Sequence, residues 1–201
     1  MQINDSKRLK FRLMDMNDAQ PLWEIDQDPI VMKFLTGGIP TTMDKIKTVL
    51  IPRMEAYRKP KLGWGIWQVS HKLTNEYLGW VLVRPMAFFT DAPNEKNLEL
   101  GWRFFQHAWG KGYATEAAIA IKNAVVANSI NVTTQSNSIE TEKIENEEKQ
   151  KVTHLSALAV VDNLASIAVM KKIGMHFVKS YLHRDPIGDF DAVHYQMSVK
   201  S

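Results

Sequence analysis

The chain contains no cysteine. That absence removes disulfides, thiolate metal sites and any cysteine nucleophile in one step. If the protein moves an activated group, it does so without first holding that group on a thiol. Long apolar runs are missing too, and none approaches the ~20 residues that span a bilayer. The opening residues, MQINDSKRLKFRL, lack the apolar core of a secretory signal, so a cytoplasmic location and no membrane partner are expected. A surplus of one charge is also lacking. Lys plus Arg total 25 against 22 Asp plus Glu, a net +3 with no basic stripe, which argues against nucleic acid as a partner. The six histidines show no H-x-x-x-H or H-E-x-x-H spacing, and no metal site is expected.

What is present is ordinary globular material: 201 residues, 45% hydrophobic and 23% charged, enough for one domain with a sizeable core. RLKFRL alternates as a strand, with Leu9, Phe11 and Leu13 on one face. Residues 15–35 carry Asp and Asn helix-start signals, and Pro29 divides them into two short helices. Thr41 or Thr42 caps a further helix, which Pro52 is expected to kink. GWGIWQVS and YLGWVLVRP, separated by HKLTNE, read as a hairpin. Its Trp64, Trp67 and Trp80 read first as core, with one of them lining an acceptor groove as the alternative.

Residues 97–105 form the next strand, Leu98, Leu100, Trp102 and Phe104 on one face and Glu99, Gly101, Arg103 and Phe105 on the other. From Tyr113, alanines and aliphatics recur at helical spacing. Residues 129–152 are polar and read as a solvated insertion, in which Glu145/Lys149 and Glu147/Lys151 would support a short surface helix. A strand at 154–160, a helix capped at Asp162 or Asn163 and stopped by Gly174, and a final hairpin around RDPIGD complete the chain. His183 and His194, on the two strands of that hairpin, read as surface histidines. This order of elements predicts a single α/β domain over residues 1–201 with a mixed, mostly antiparallel sheet.

One corner stands out. QHAWGKGYATEA places Gly110-Lys111-Gly112 between the end of a strand and the start of a helix. Amides at a helix start are unpaired and carry about half a positive charge, and glycines let an anion approach the backbone. The corner therefore either turns the chain or holds an anion. It is neither a Walker A loop, G-x-x-x-x-G-K-[ST], nor a G-x-G-x-x-G fingerprint.

ELGWRFFQHAWGKGYATEA resembles the acyl-CoA-binding motif of the GNAT superfamily of N-acetyltransferases, and within it the branch of ribosomal-protein N-terminal alanine acetyltransferases and spermidine acetyltransferases. NLASIAVMKKIGM, RLKFRL and the tryptophan-rich hairpin look like the same branch, so the resemblance spans nearly the whole chain outside 129–152. It implies a twisted sheet with helices on both faces, splayed between the strands around 98–104 and 155–160. Acetyl-CoA would lie in the gap as cosubstrate, its pyrophosphate on the backbone amides of residues 107–113.

The binding residues implied are Trp102, Phe104, His107, Trp109, Gly110, Lys111, Gly112, Tyr113, Ala114, Asn163 and Ser166. His107 stands where the family usually has Arg or Gln, and Lys111, Arg103 and Lys172 are the basic candidates for the 3′-phosphate of CoA. The reaction implied is direct transfer to an amine. Glu99 is the candidate base, and Ser166 the candidate acid because Met170 stands where many members have a tyrosine. The expected acceptor is a peptide or protein N-terminus, with a polyamine or amino sugar as alternative. A non-catalytic CoA-binding module is the other reading. The acceptor groove would come from residues 28–45 and 86–96, in a monomer or homodimer.

Overall fold

The computed structural model describes residues 1–135, 151–184 and 189–199. Among these, β1 (Leu9–Leu13), β2 (Gly65–His71), β3 (Tyr77–Met86), β4 (Asn94–Phe104), β5 (His154–Val160), β6 (His176–His183) and β7 (Phe190–Ser198) form one sheet. Its order is β1-β2-β3-β4-β5-β7-β6. Every neighbouring pair is antiparallel except β4–β5. The mixed, mostly antiparallel sheet expected from the sequence is therefore the one observed.

Period-2 alternation gives the sheet two apolar faces. On the first, α5 (Tyr113–Gln135) and α6 (Leu164–Lys172) cover Leu9, Trp67, Val81, Leu98, Leu100 and Leu155, with Ala117, Ala118 and Ile121 of α5 fully buried. On the second, α1 (Ala19–Ile25), α3 (Met43–Lys45) and α4 (Ile51–Tyr57) close over Ile66 with Leu22, Ile46, Met54 and Tyr57. Each such large side chain contributes about 1.5–3 kcal/mol on burial. Trp64 and Trp67 belong to the first core, while Trp80 packs against the second.

Local signals explain the helix boundaries. The Asp28 side chain accepts from the amides of Ile30 and Val31, Pro29 opens α2 (Pro29–Thr36), and Gly37 at φ 68° ends it. Thr42, not Thr41, caps α3 by accepting from the Lys45 amide. Pro52 produces no simple kink. It sits in the first turn of α4, where its missing N–H costs little, and a π-helical turn over Ile46–Leu50 leads into it.

The expected insertion needs correction at both ends. α5 continues past residue 129 to Gln135, and Val152 is buried in the first core. Residues 145, 147 and 149, on which the surface helix was expected, lie outside the described residues. Among the described residues, no helix is long and apolar enough to cross a membrane.

β3 approaches β4 closely at one point. Gly79 has φ 148°, and a Cβ there would lie 2.2 Å from the Arg103 carbonyl oxygen and 2.7 Å from the Phe104 Cα. The C-terminal end of β4, and whatever follows it, is thus set by the absence of a side chain at residue 79. Gly79→Ala is expected to lower stability by about 3 kcal/mol in denaturant unfolding. Gly101→Ala, whose Cβ would meet only Leu82 side-chain atoms at 3.4 and 3.5 Å, serves as the mild control.

Candidate active site

β4 and β5 pair at Asn97↔His154, Leu98↔Leu155 and Glu99↔Ser156, and then part. Beyond that vertex β4 stays paired with β3, and β5 with β7. Their facing edges are left without a partner strand over residues 100–104 and 157–160. At ~3.3 Å per residue the open edge of β4 is about 15 Å long. Because the two strands run parallel, both C-terminal ends lie at the wide end of the wedge. Each leads into a helix there, β4 into α5 and β5 into α6. Two helix N-termini therefore flank one opening, as the splayed sheet implied.

A buried polar cluster fixes the vertex. Ser156 Oγ donates to Asn97 Oδ1 at 2.9 Å and accepts from Gln196 Nε2 at 3.1 Å. Its single hydrogen is thereby used, so His194 Nε2, 2.9 Å away, carries the hydrogen between them. Burial, with Lys179 nearby, holds His194 below the usual imidazole range, and Glu99 opposes that shift. His194 is thus no surface histidine. It faces Lys179 across the hairpin, while His183 faces Phe190, so the two histidines do not meet.

The glycine corner sits at the wide end. Phe105 donates its amide to Leu78 O, and a 3₁₀ turn (Gln106–Ala108) follows. That turn uses the amides of Ala108 and Trp109, which donate to Phe105 O and Gln106 O at 3.0 Å. These two are thereby removed from the set expected over residues 107–113. Gly110 and Gly112 have φ 71° and 78°, a left-handed pair that turns consecutive N–H groups outward ahead of α5. Among the described residues, the amides of Gly110 to Thr115 meet no acceptor. The outer wall of this corner is a groove of about 560 Å³ whose lining includes Gly112, Thr115 and Lys172. Trp109 is exposed and locked in place by its indole N–H, which donates to Phe104 O at 2.7 Å.

Two residues that the sequence reading passed over anchor the corner. Glu116, in the first turn of α5, accepts from Ser6 Oγ (2.8 Å), the Arg8 amide (2.8 Å) and Arg8 Nε (2.7 Å). Arg8 also donates through Nη1 to Lys111 O at 2.9 Å. An acidic first-turn residue suits the helix dipole, which is the signal that could have found it. Arg8 cancels its charge, so the corner keeps a positive field. Burial raises the Glu116 carboxyl, but the bonds from Ser6 and Arg8 outweigh it and hold the group below its ordinary value.

The other expected residues divide by face. Phe104 is buried in the first core and can offer only backbone to the gap, while Trp102 packs partly against that core. His107 is exposed, stacks on Phe105 and lies 3.2 Å from Glu76. Ser166 is in the first turn of α6, where its amide is capped by Asn163 Oδ1 at 3.1 Å. Its hydroxyl has no hydrogen-bond partner among the described residues. Met170 is buried in the first core.

Glu99, at the vertex, is held by Arg84 through two bonds, Nε–Oε2 at 2.9 Å and Nη2–Oε1 at 3.1 Å. Arg103 does not reach the glycine corner. Strand alternation puts it on the second face, ion-paired with Asp26 and stacked over Trp80, so it drops out as a phosphate ligand.

Comparison with known proteins matches residues 8–176 to an acetyltransferase (GNAT) domain. A protein of Bacillus subtilis (strain 168), the uncharacterized YkkB, is 28% identical over 174 residues, covering 86% of this chain and 84% of that protein. Among solved structures, the ribosomal L7/L12 alpha-N-protein acetyltransferase RimL in complex with coenzyme A has a similar fold, with TM-score 0.66, 13% identity and coverage of 99% and 98% of the two chains. Aminoglycoside acetyltransferase AAC(6')-Ib in complex with coenzyme A is similar at TM-score 0.66 and 16% identity, covering 94% of each chain.

The Glu116 anchor generates a pH prediction. A carboxyl whose folded-state pKa is depressed contributes stability above its unfolded value, and that contribution is lost as pH falls through the folded value. Glu116→Gln is expected to lower neutral-pH stability by about 1–2 kcal/mol. It should also flatten the loss of stability on acidification below about pH 4.5, read from thermal midpoints across pH.

Proposed function

Because the chain belongs to the GNAT acetyltransferase family, it is an acyltransferase with acetyl-CoA as cosubstrate, and we propose that it passes the acetyl group directly to a primary amine, first of all the α-amino group of a peptide or protein N-terminus. The observation that carries this reading is the wedge between β4 and β5 opening onto a corner of unpaired amides. The pantetheine arm would complete the two free strand edges, as a missing strand would. The pyrophosphate would take the amides of residues 110–115, with Lys111 and Lys172 supplying charge. One sheet shared by both cores supports reading residues 1–201 as a single acetyltransferase domain.

In the reaction the neutral amine nitrogen attacks the thioester carbonyl carbon. The C–N bond forms, the C–S bond breaks, CoA leaves as a thiolate, and the amine gives up one proton. The absence of cysteine closes the route through a thiol-bound acetyl intermediate. Deprotonating an α-amino group (pKa about 7.8) at pH 7 costs about 1 kcal/mol, whereas a lysine amine (about 10.4) costs about 4.6. A modest base therefore serves the first far better.

Glu99 is that base in this reading. Arg84 occupies two of the roughly four lone-pair positions on its carboxylate and leaves the others for the amine or a bridging water. The unpartnered Ser166 hydroxyl protonates or hydrogen-bonds the departing thiolate. That thiolate has pKa about 8.5, so solvent shares the task and the demand on Ser166 is small. The likeness in shape to RimL supports the peptide N-terminus. The likeness to the aminoglycoside enzyme keeps a small amine as the second reading.

Thiol release from acetyl-CoA tests the assignment. Glu99→Gln is expected to lower kcat by about 10²–10³ with acetyl-CoA binding unchanged, and Ser166→Ala by about tenfold or less. Equal rates in wild type and both variants would remove both roles.

A further inference from the structure

On the face of the sheet away from α5, buried polar atoms without partners gather in one place: Asp26 Oδ2, Arg103 Nε, Trp80 Nε1 and the Tyr77 hydroxyl. Asp26 is only 1% exposed. Its other oxygen pairs with Arg103, whose guanidinium lies over the Trp80 ring, 4.9 Å from the centroid. Asp26, Trp80 and Arg103 line a cavity of about 160 Å³ between α1, α4 and the sheet, with Arg53 and Arg84 also on its wall. A cavity of ~150 Å³ takes a ligand of benzene's size. Native proteins rarely leave buried donors unmatched, so such a group of them asks what satisfies it.

The chemistry of the wall answers. Two of the three orphan atoms on the wall, Arg103 Nε and Trp80 Nε1, are donors, and the Tyr77 hydroxyl, outside the lining, is pushed by burial far above its ordinary pKa and keeps its proton. Two guanidinium groups on the wall are already matched by carboxylates, Arg103 by Asp26 and Arg84 by Glu99, and Arg53 lies over the Phe89 ring. Such a wall offers two unmatched donors to an acceptor-rich anion and only one unmatched acceptor, Asp26 Oδ2, to a polycation. The cavity also reaches the catalytic end. Arg84 both lines it and holds Glu99, and Arg103 and Glu99 stand on the same face of β4. A group seated beside Arg103 and Trp80 therefore extends toward the vertex.

We propose that this cavity seats a carboxylate carried by the acceptor amine, so that the preferred acceptors are zwitterionic or anionic amines and not polyamines or aminoglycosides. The proposal rests on the acetyl-transfer reading above and narrows its acceptor. The carboxylate comes either from a free amino acid or from the acidic first side chain of a peptide, which presents the same chemistry.

The experiment measures kcat/KM at saturating acetyl-CoA for two matched pairs and two polycations. The pairs are alanine against alaninamide and Asp-Ala-Ala-amide against Asn-Ala-Ala-amide; the polycations are spermidine and kanamycin. At least one pair should favour the carboxylate tenfold or more, and which pair does so identifies its source. Both polycations should fall below the favoured substrate. Tyr77→Phe removes an orphan hydroxyl alone, whereas Trp80→Phe removes the indole N–H on the wall together with part of the ring over which Arg103 lies. They should raise KM for the favoured acceptor several-fold and leave its uncharged match little changed, and Tyr77→Phe should keep or raise the thermal midpoint. Ratios near one in both pairs, a preferred polycation, or an unchanged KM in both variants would overturn the carboxylate assignment while leaving acetyl transfer intact. If no amine in the panel accelerates thiol release, the transfer reading and this inference both fall.

Discussion

The arrangement depends on two parallel strands that stop pairing. β4 and β5 share three residue pairs and then separate, although each remains fully laddered to its other neighbour. Backbone N–H and C=O groups without partners are costly when buried and invite pairing when open. Keeping them apart takes a fixed hinge, and the Ser156 cluster supplies one. Asn97 of β4 and His194 and Gln196 of β7 converge on one hydroxyl of β5 at the point of divergence. Satisfied polar clusters of this kind specify a single geometry more than they add stability.

From that hinge outward, the two faces of β4 take different work. Leu98, Leu100 and Phe104 anchor the strand on the α5 side and thereby fix where the chain leaves the sheet. Gly79 lets β3 press against that exit, and Arg8 and Glu116 clamp the helix that follows. The unpaired amides of the corner are held from three directions and are preorganised before any anion arrives. On the other face, Glu99 and Arg103 each carry an arginine–carboxylate pair into the space beneath α1 and α4. A second tie links the regions, since Asp28 at the start of α2 accepts from Gln106 at 2.6 Å. The covering helices are thus fastened to the glycine corner as well as to the sheet.

Much of the fold was legible in the chain because its signals are local. Alternation in residues 97–105 assigned those side chains of β4 to a face, Pro29 divided residues 15–35 into two helices, Asn163 marked a helix start, and Gly-Lys-Gly before a small-residue helix marked the corner. Local signals misled where the surroundings decide. Pro52 reads as a kink until a π turn absorbs it, polar residues past 129 read as insertion while the helix continues, and Arg103 reads as a phosphate ligand until Asp26 claims it.

The sequence by itself determined the period of each element, the positive-φ corner and the absence of thiol chemistry, since these follow from residue type and spacing. Only the tertiary structure decided which charges cancel, where β4 and β5 part, and which polar atoms are left unmatched. Those outcomes depend on partners far apart in the chain, such as Asp26 with Arg103 or Ser156 with His194, and no local pattern records who meets whom.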